Sequence, residues 1–172
     1  MAKKRIALLS TGGTIEKTYD ELAGVLTNVV SVLDVMLSQL ELSGIEIERF
    51  ALMNKDSLEM SPEDHDLIAE AALSKAANFD GVIIVHGTYR LAKSGDVIFS
   101  RSPSPPVPIV LTGAMRPFAL RSTDAIQNLT ESLIAVQLAL PGVYVCMHNQ
   151  LIPFPGVVKD RENGTFTSRS AG

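Results

Sequence analysis

Thr11-Gly12-Gly13-Thr14 follows the apolar run Ile6-Ala7-Leu8-Leu9-Ser10 without a break. A buried strand ending in two glycines brings backbone N–H groups and hydroxyl side chains to one point, because glycine permits close backbone approach and unusual dihedrals. Thr88 stands in a comparable place behind Gly81–Val85 and His86-Gly87, and Thr112-Gly113-Ala114 closes the run Pro108–Thr112. Hydroxyls beside glycine-opened backbone suit nucleophilic attack, with N–H groups holding the oxyanion. Threonine is a weak nucleophile and needs a base or a nearby cation. Lys159, beyond the turn Pro153–Gly156, is one candidate. Phosphate binding at a helix start is a second use for TGGT. Against it, the chain has neither the Lys-Ser/Thr of a phosphate-binding loop nor the glycine spacing of a dinucleotide fingerprint. No cluster of His, Cys or carboxylates has metal-ligand spacing, so neither metal nor cofactor is assigned.

These residues need elements to hold them. Arg5–Ser10, Gly81–Val85, Pro108–Thr112 and Val143–Met147 read as buried strands, and Ile45–Leu52 as a half-exposed one. Apolar spacing predicts helices over Val29–Leu40 and from Ser61 to about Asn78. Ser61-Pro62-Glu63-Asp64 supplies a cap, a first-turn proline and acids at the positive end of the dipole. A further helix is expected over Ser122–Leu140, capped by Ser122 or Thr123 with Asp124. Residues 91–100 stay ambiguous, Ser102–Pro108 is a connector, and the tail reads as a loop and a hairpin around Asn163-Gly164. Continuous apolar strands alternating with helices mean an α/β fold. Its parallel sheet is covered on both faces, doubly wound in the flavodoxin or Rossmann manner, with ligands at the carboxyl edge.

A chain of 172 residues, 46% hydrophobic, can bury one good core and is expected to form one domain over 1–172. A net charge of -4, with Lys3-Lys4-Arg5 as its one basic cluster, argues against nucleic acid; few aromatics argue against base stacking. No apolar run is long enough to span a bilayer and no signal peptide is evident, so a cytoplasmic place is expected. The single cysteine, Cys146, lies in an apolar run and is expected to be a small core residue. His86 is expected to be packed at its strand end, and His65 and His148 to lie on the surface or in a hairpin. Arg116 is expected to hold a loop through carbonyl hydrogen bonds, and Asp124 to act as a helix N-terminal acid.

Four blocks in order, Thr11-Gly12-Gly13-Thr14-Ile15, Asp56-Ser57-Leu58-Glu59-Met60, His86-Gly87-Thr88 and Gly113-Ala114-Met115-Arg116-Pro117, resemble the bacterial-type L-asparaginase family. The resemblance is to the amino-terminal domain of those enzymes and covers nearly the whole chain. It implies hydrolysis of the side-chain amide of asparagine or a related small amide, without a cofactor, by a homo-oligomer. It makes Thr14 the attacking hydroxyl, Tyr19 the mobile-loop tyrosine that polarises it, Thr88 the second catalytic threonine and Lys159 the lysine of the Thr–Asp–Lys group. Substrate contacts are implied for Gly13, Asp56, Ser57, Leu58, Gly87, Tyr89 and Ala114, with Ser57 on the substrate carboxylate. Leu58 stands where some members have a polar residue. The family's smaller second domain is expected to be missing.

One departure bears on chemistry. Where the family has Asp-Thr after His-Gly-Thr, this chain has Tyr89-Arg90. The aspartate would hold the substrate ammonium and pair with the lysine; a phenol is uncharged at neutral pH and does neither. Lys159 then lacks a counter-charge unless Glu16, Asp56, Glu59 or Asp160 supplies it. Arg90 is expected to add a second cation that disfavours a substrate ammonium. Two readings remain open: an amidohydrolase, and a ligand-binding or regulatory domain that has lost the chemistry.

Overall fold

Ile6, Ala7, Leu8 and Leu9 have no exposed surface, so the first strand is covered on both faces. The computed structural model describes residues 2–169. The chain runs β1 (Lys4–Gly12), β2 (Thr18–Asp20), β3 (Val25–Thr27), α1 (Leu33–Ser38), β4 (Ile45–Lys55), α2 (Pro62–Ala76) and β5 (Gly81–Val85). It continues through α3 (Leu91–Arg101), β6 (Pro108–Thr112), α4 (Ala125–Leu138), β7 (Gly142–Met147), β8 (Gln150–Pro153), β9 (Val157–Asp160) and β10 (Thr165–Ser168). Short 3-10 turns occupy Thr14–Glu16 and Ser57–Glu59.

The main sheet has the order β4-β1-β5-β6-β7-β8, parallel throughout except for β8 against β7. Alternate residues feed two cores. Ala7, Leu9, Val82, Ile84, Ile109 and Leu111 face Ile68 and Ala72 of α2 and Leu91 and Ile98 of α3. Ile6, Leu8, Ile83, Val85 and Val110 face Leu33 and Met36 of α1 and Leu129 and Leu133 of α4. Each such Leu or Ile stabilises the fold by roughly 1.5–3 kcal/mol, before the opposing conformational entropy. No helix among the described residues is long and apolar enough to cross a membrane.

Numbered by chain order, the five parallel strands lie 2-1-3-4-5. In such a sheet the connections leave the first and third strands in opposite directions, and a crevice opens between their carboxyl ends. Those two strands are β1 and β5, which carry Thr14 and Thr88.

Local sequence explains most elements but not all of them. The α2 start is a capping box: Asp64 N–H donates to Ser61 Oγ and the Ser61 N–H donates to the Asp64 carboxylate. The segment 91–100 is helical, and its pattern is weak because Ser94 and Gly95 stand on the buried face between Leu91 and Ile98. A Cβ on Gly95 would lie 2.0 Å from Phe154 Cζ, so the aromatic ring takes the place of a helix side chain. The helix expected over Val29–Leu40 shrinks to Leu33–Ser38. Val29 and Val30 are exposed, and the residues around them are bound sideways, Asn28 to the Gly13 carbonyl and Ser31 to Glu16. In α4 the helix begins at Ala125; Thr123 Oγ1 accepts from the Ala125 N–H, and the Asp124 carboxylate is used elsewhere. The tail does form a hairpin, β9–β10, around Asn163-Gly164, and β8 before it is an addition to the expected elements.

Candidate active site

Three loops meet at the β1–β5 crevice with no room to spare. Gly12 and Gly13 have φ of 96° and 82°, a region in which side chains are strained. The register of β1 on β4 shifts between Ser10 and Gly12, and the Gly13 N–H donates to the Lys55 carbonyl at 2.8 Å. A Cβ on Gly13 would come within 2.4 Å of the Gly87 backbone, and one on Gly87 within 2.5 Å of Ser57 Oγ. The backbones after β1, β4 and β5 are therefore in direct contact, and the glycines are what allow it.

Thr14 opens the first 3-10 turn, half-buried, and among the described residues its hydroxyl has no protein partner. Thr88 is buried and its Oγ1 accepts a 2.8 Å hydrogen bond from Lys159 Nζ on β9. Burial lowers the proton affinity of Lys159, the charge of Arg161 lowers it further, and Asp56 works in the opposite direction. Ser57 is buried against Gly87, and its Oγ accepts from the Arg90 N–H at 3.3 Å. Partial burial would push the Asp56 carboxyl up. The Lys17 ammonium at 2.5 Å and the Leu58 N–H at 3.0 Å outweigh it and hold the carboxyl below the usual carboxylate range.

A cleft of about 200 Å3 is lined by Lys17, Asn28, Asn54, Asp56 and Glu59, with Leu26 and Thr27 of the β2–β3 hairpin above it. A larger cavity, about 570 Å3, runs along α4 and β8, and none of these residues lines it. Tyr19 sits on the hairpin, 61% exposed, without a hydrogen bond to Thr14. Leu58 is exposed, whereas Ala114 is fully buried in the core beside α4. Among the described residues no three His, Cys, Asp or Glu side chains are placed to hold a metal.

The charges differ from expectation at Tyr89-Arg90. Arg90 turns away, its guanidinium donating to the Met60 carbonyl at 2.7 Å. The second cation is Arg161, whose Cζ lies 4.5 Å from the centroid of the Tyr89 ring, with Lys159 Nζ at 5.6 Å. Of the four acids considered for Lys159, Asp56 is the one that acts on its charge, and it is bound to Lys17. Glu16 is buried, bound by Ser31, and pushed up by burial; Asp160 is bound by Asn163 within its own turn.

Two buried networks behind the site are not evident along the chain. His65, expected at the surface, is 1% exposed. Its Nδ1 is 2.7 Å from Ser94 Oγ, which is 2.7 Å from His86 Nε2, while His86 Nδ1 is 2.8 Å from the Gly87 carbonyl. That carbonyl only accepts, so His86 Nδ1 carries the proton and Nε2 accepts from Ser94; Ser94 in turn accepts from His65 Nδ1–H. The relay fixes the peptide before Thr88, and His86 is packed as expected. Burial lowers its pKa to about 4.

In the second network Asp124 accepts from the Met115 and Arg116 N–H groups at 3.0 and 2.9 Å, from Asn128 at 2.9 Å and from His148 at 2.7 Å. Burial alone would raise its pKa; these donors lower it. The loop expected to hang on the Arg116 side chain hangs instead on its backbone, and the side chain is exposed. His148 does sit in the β7–β8 hairpin. Cys146 is buried, its thiol pushed up to about 11 by burial.

The family profile described as Asparaginase, N-terminal matches residues 5–171. The chain belongs to the asparaginase family. An L-asparaginase of Thermococcus kodakarensis is 32% identical over 154 residues, 86% of this chain and 45% of that protein. A glutamyl-tRNA(Gln) amidotransferase subunit of Haloquadratum walsbyi is 34% identical over 145 residues, 83% of this chain and 33% of that protein. The structure of the thermostable L-asparaginase from Thermococcus kodakarensis superposes with a TM-score of 0.87 at 30% identity, covering 98% of this chain and 52% of that one. The chain thus spans between a third and about half of the length of these asparaginase-family relatives.

Proposed function

We propose that this chain is an amidohydrolase acting on a small carboxamide, with Thr14 as nucleophile. Thr14 Oγ attacks the amide carbon, the C–N bond breaks, and ammonia leaves with the proton given up by the hydroxyl. Water then cleaves the Thr14 ester, releasing a carboxylate and restoring the hydroxyl. Backbone N–H groups near Thr14 and Thr88 hold the oxyanion. The observation that carries the proposal is the 2.8 Å hydrogen bond from Lys159 to Thr88, a half-buried cation on a second hydroxyl at the switch point that Thr14 also occupies. A lysine whose proton affinity is already lowered is suited to exchange a proton through Thr88.

Tyr89 supports a second reading. Among the described residues no carboxylate lies within 4.0 Å of Lys159, so the charge pair of the family's active site is incomplete. A binding domain without turnover would tolerate that loss.

Ammonia release from asparagine, glutamine and succinamate separates the two. Release by the wild type that falls at least a thousandfold in Thr14→Ala, at unchanged melting temperature, supports the hydrolase. Activity retained by Thr14→Ala would sink the nucleophile assignment, and no release from any amide would favour the binding domain. The relatives named as amidotransferase subunits make the same assay useful in another way: free ammonia without an added protein points to hydrolysis rather than transfer.

A further inference from the structure

Tyr89 lies at the mouth of the crevice, 44% exposed, with two cations over or beside its ring. Neither Lys159 nor Arg161 has a carboxylate within 4.0 Å among the described residues. The acids in the neighbourhood are already engaged or point elsewhere. Asp56 is held by Lys17, and Asp160 accepts from the Glu162 and Asn163 N–H groups and from Asn163 Nδ2. Glu16 is buried on Ser31, and Glu59 lines the separate cleft beside Lys17.

Two like charges gathered on one aromatic ring repel each other, and an anion placed between them relieves the repulsion. A guanidinium stacked on a phenol keeps its edge N–H groups free, and that fork fits a carboxylate with two hydrogen bonds. A substrate ammonium brought to the same place would meet two cations, with the nearest acid, Asp56, already paired to Lys17.

We propose that Arg161 and Tyr89, with Lys159 behind them, form an anion-receiving corner, and that the ligand is a small monoamide of a dicarboxylic acid that carries no amino group. Its carboxylate sits on Arg161 and the Tyr89 hydroxyl, and its carboxamide is turned toward Thr14 and Thr88. The carboxamide end rests on the hydrolase reading; the carboxylate end does not. Lys159 links the two ends, since it touches Thr88 at 2.8 Å and lies 5.6 Å from the Tyr89 centroid. Succinamate is the simplest probe of that arrangement.

Binding is measured by titration calorimetry at low salt in a Thr14→Ala background, so that no turnover intrudes. The ligands are succinamate, succinate and L-asparagine, and the proteins carry Arg161, Arg161→Gln or Tyr89→Asp. Succinamate should bind at least tenfold more tightly than asparagine. Arg161→Gln should weaken succinamate about tenfold while leaving asparagine within twofold, and added salt should weaken succinamate but not asparagine. Tyr89→Asp should reverse the preference. Equal or tighter binding of asparagine, no binding of succinamate, or indifference to Arg161→Gln each overturns the corner.

The two proposals fail separately. Arg161-dependent binding with no ammonia release by the enzyme bearing Thr14 removes the hydrolase and keeps the corner. Thr14-dependent release that favours asparagine and ignores Arg161 does the reverse.

Discussion

Replacing Ser94 with alanine should destabilise the fold by about 1.5–5.5 kcal/mol, and the figure follows from the direction of each hydrogen bond. Ser94 has no exposed surface and bridges two imidazoles at 2.7 Å on either side. Deleting its hydroxyl leaves His86 Nε2 as a bare acceptor and His65 Nδ1–H as a bare donor, each costing about 1–3 kcal/mol when buried. Helix propensity returns only about 0.5 kcal/mol for Ser→Ala. His65 has no slack to absorb the loss, because its Nε2 is already buried without a partner. The measurement is urea unfolding followed by circular dichroism, comparing midpoints at unchanged slope. Ser100→Ala is the control: it is on the same helix, bonded to the Val97 carbonyl, and should stay within about 0.5 kcal/mol of wild type. A Ser94→Ala protein within about 1 kcal/mol of wild type would refute the relay as a stabilising element.

Two further expectations follow from the same region. His86 has its pKa lowered to about 4 by burial, against about 6.5 in an unfolded chain. Between those values the unfolded state holds a proton that the native state refuses, so stability is complete above pH 6.5 and falls as the pH drops toward 4. The loss reaches about 3 kcal/mol, and His65, also lowered by burial, adds in the same direction. Asp56 and Asp124, both lowered, lose their contribution only below about pH 4, while Glu16, raised, acts in the opposite direction. Unfolding at pH 4.5 and pH 7 checks this, and equal stabilities would contradict it. Gly13→Ala should cost about 2–5 kcal/mol, combining positive-φ strain with overlap on the Gly87 backbone. Gly24→Ala, at φ +70° with open space around it, should cost about 1 kcal/mol, and equal melting shifts for the two would exclude the close approach.

The strands and the best helix are legible in the sequence because their causes are local. Ile6–Leu9, Gly81–Val85 and Pro108–Thr112 are apolar on both faces, and only a covered parallel strand satisfies that. Ser61-Pro62-x-Asp64 carries its own start signal. The α3 helix is hidden because two of its four buried residues, Ser94 and Gly95, do not signal burial: one is polar for the sake of two histidines, the other lacks a side chain for the sake of Phe154. The helix expected over Val29–Leu40 is too long for the converse reason, since Val29 and Val30 fit a helical spacing but have no core to face.

The amino-acid sequence by itself determined the α/β class, the motif blocks and the loops that carry Thr14 and Thr88. Strand burial, glycine dihedrals and capping act over a few residues, so they can be read along the chain. Only the tertiary structure decided which charges share the crevice. Arg161, 72 positions after Tyr89, stacks on its ring, while adjacent Arg90 swings to Met60. It also decided that His65, Ser94 and His86 form one directed relay, and that Asp124 holds the loop at Met115-Arg116. Hydrogen bonds and charge pairs reach only a few ångströms, and which partners come that close is set by the packing of the sheet and its helices.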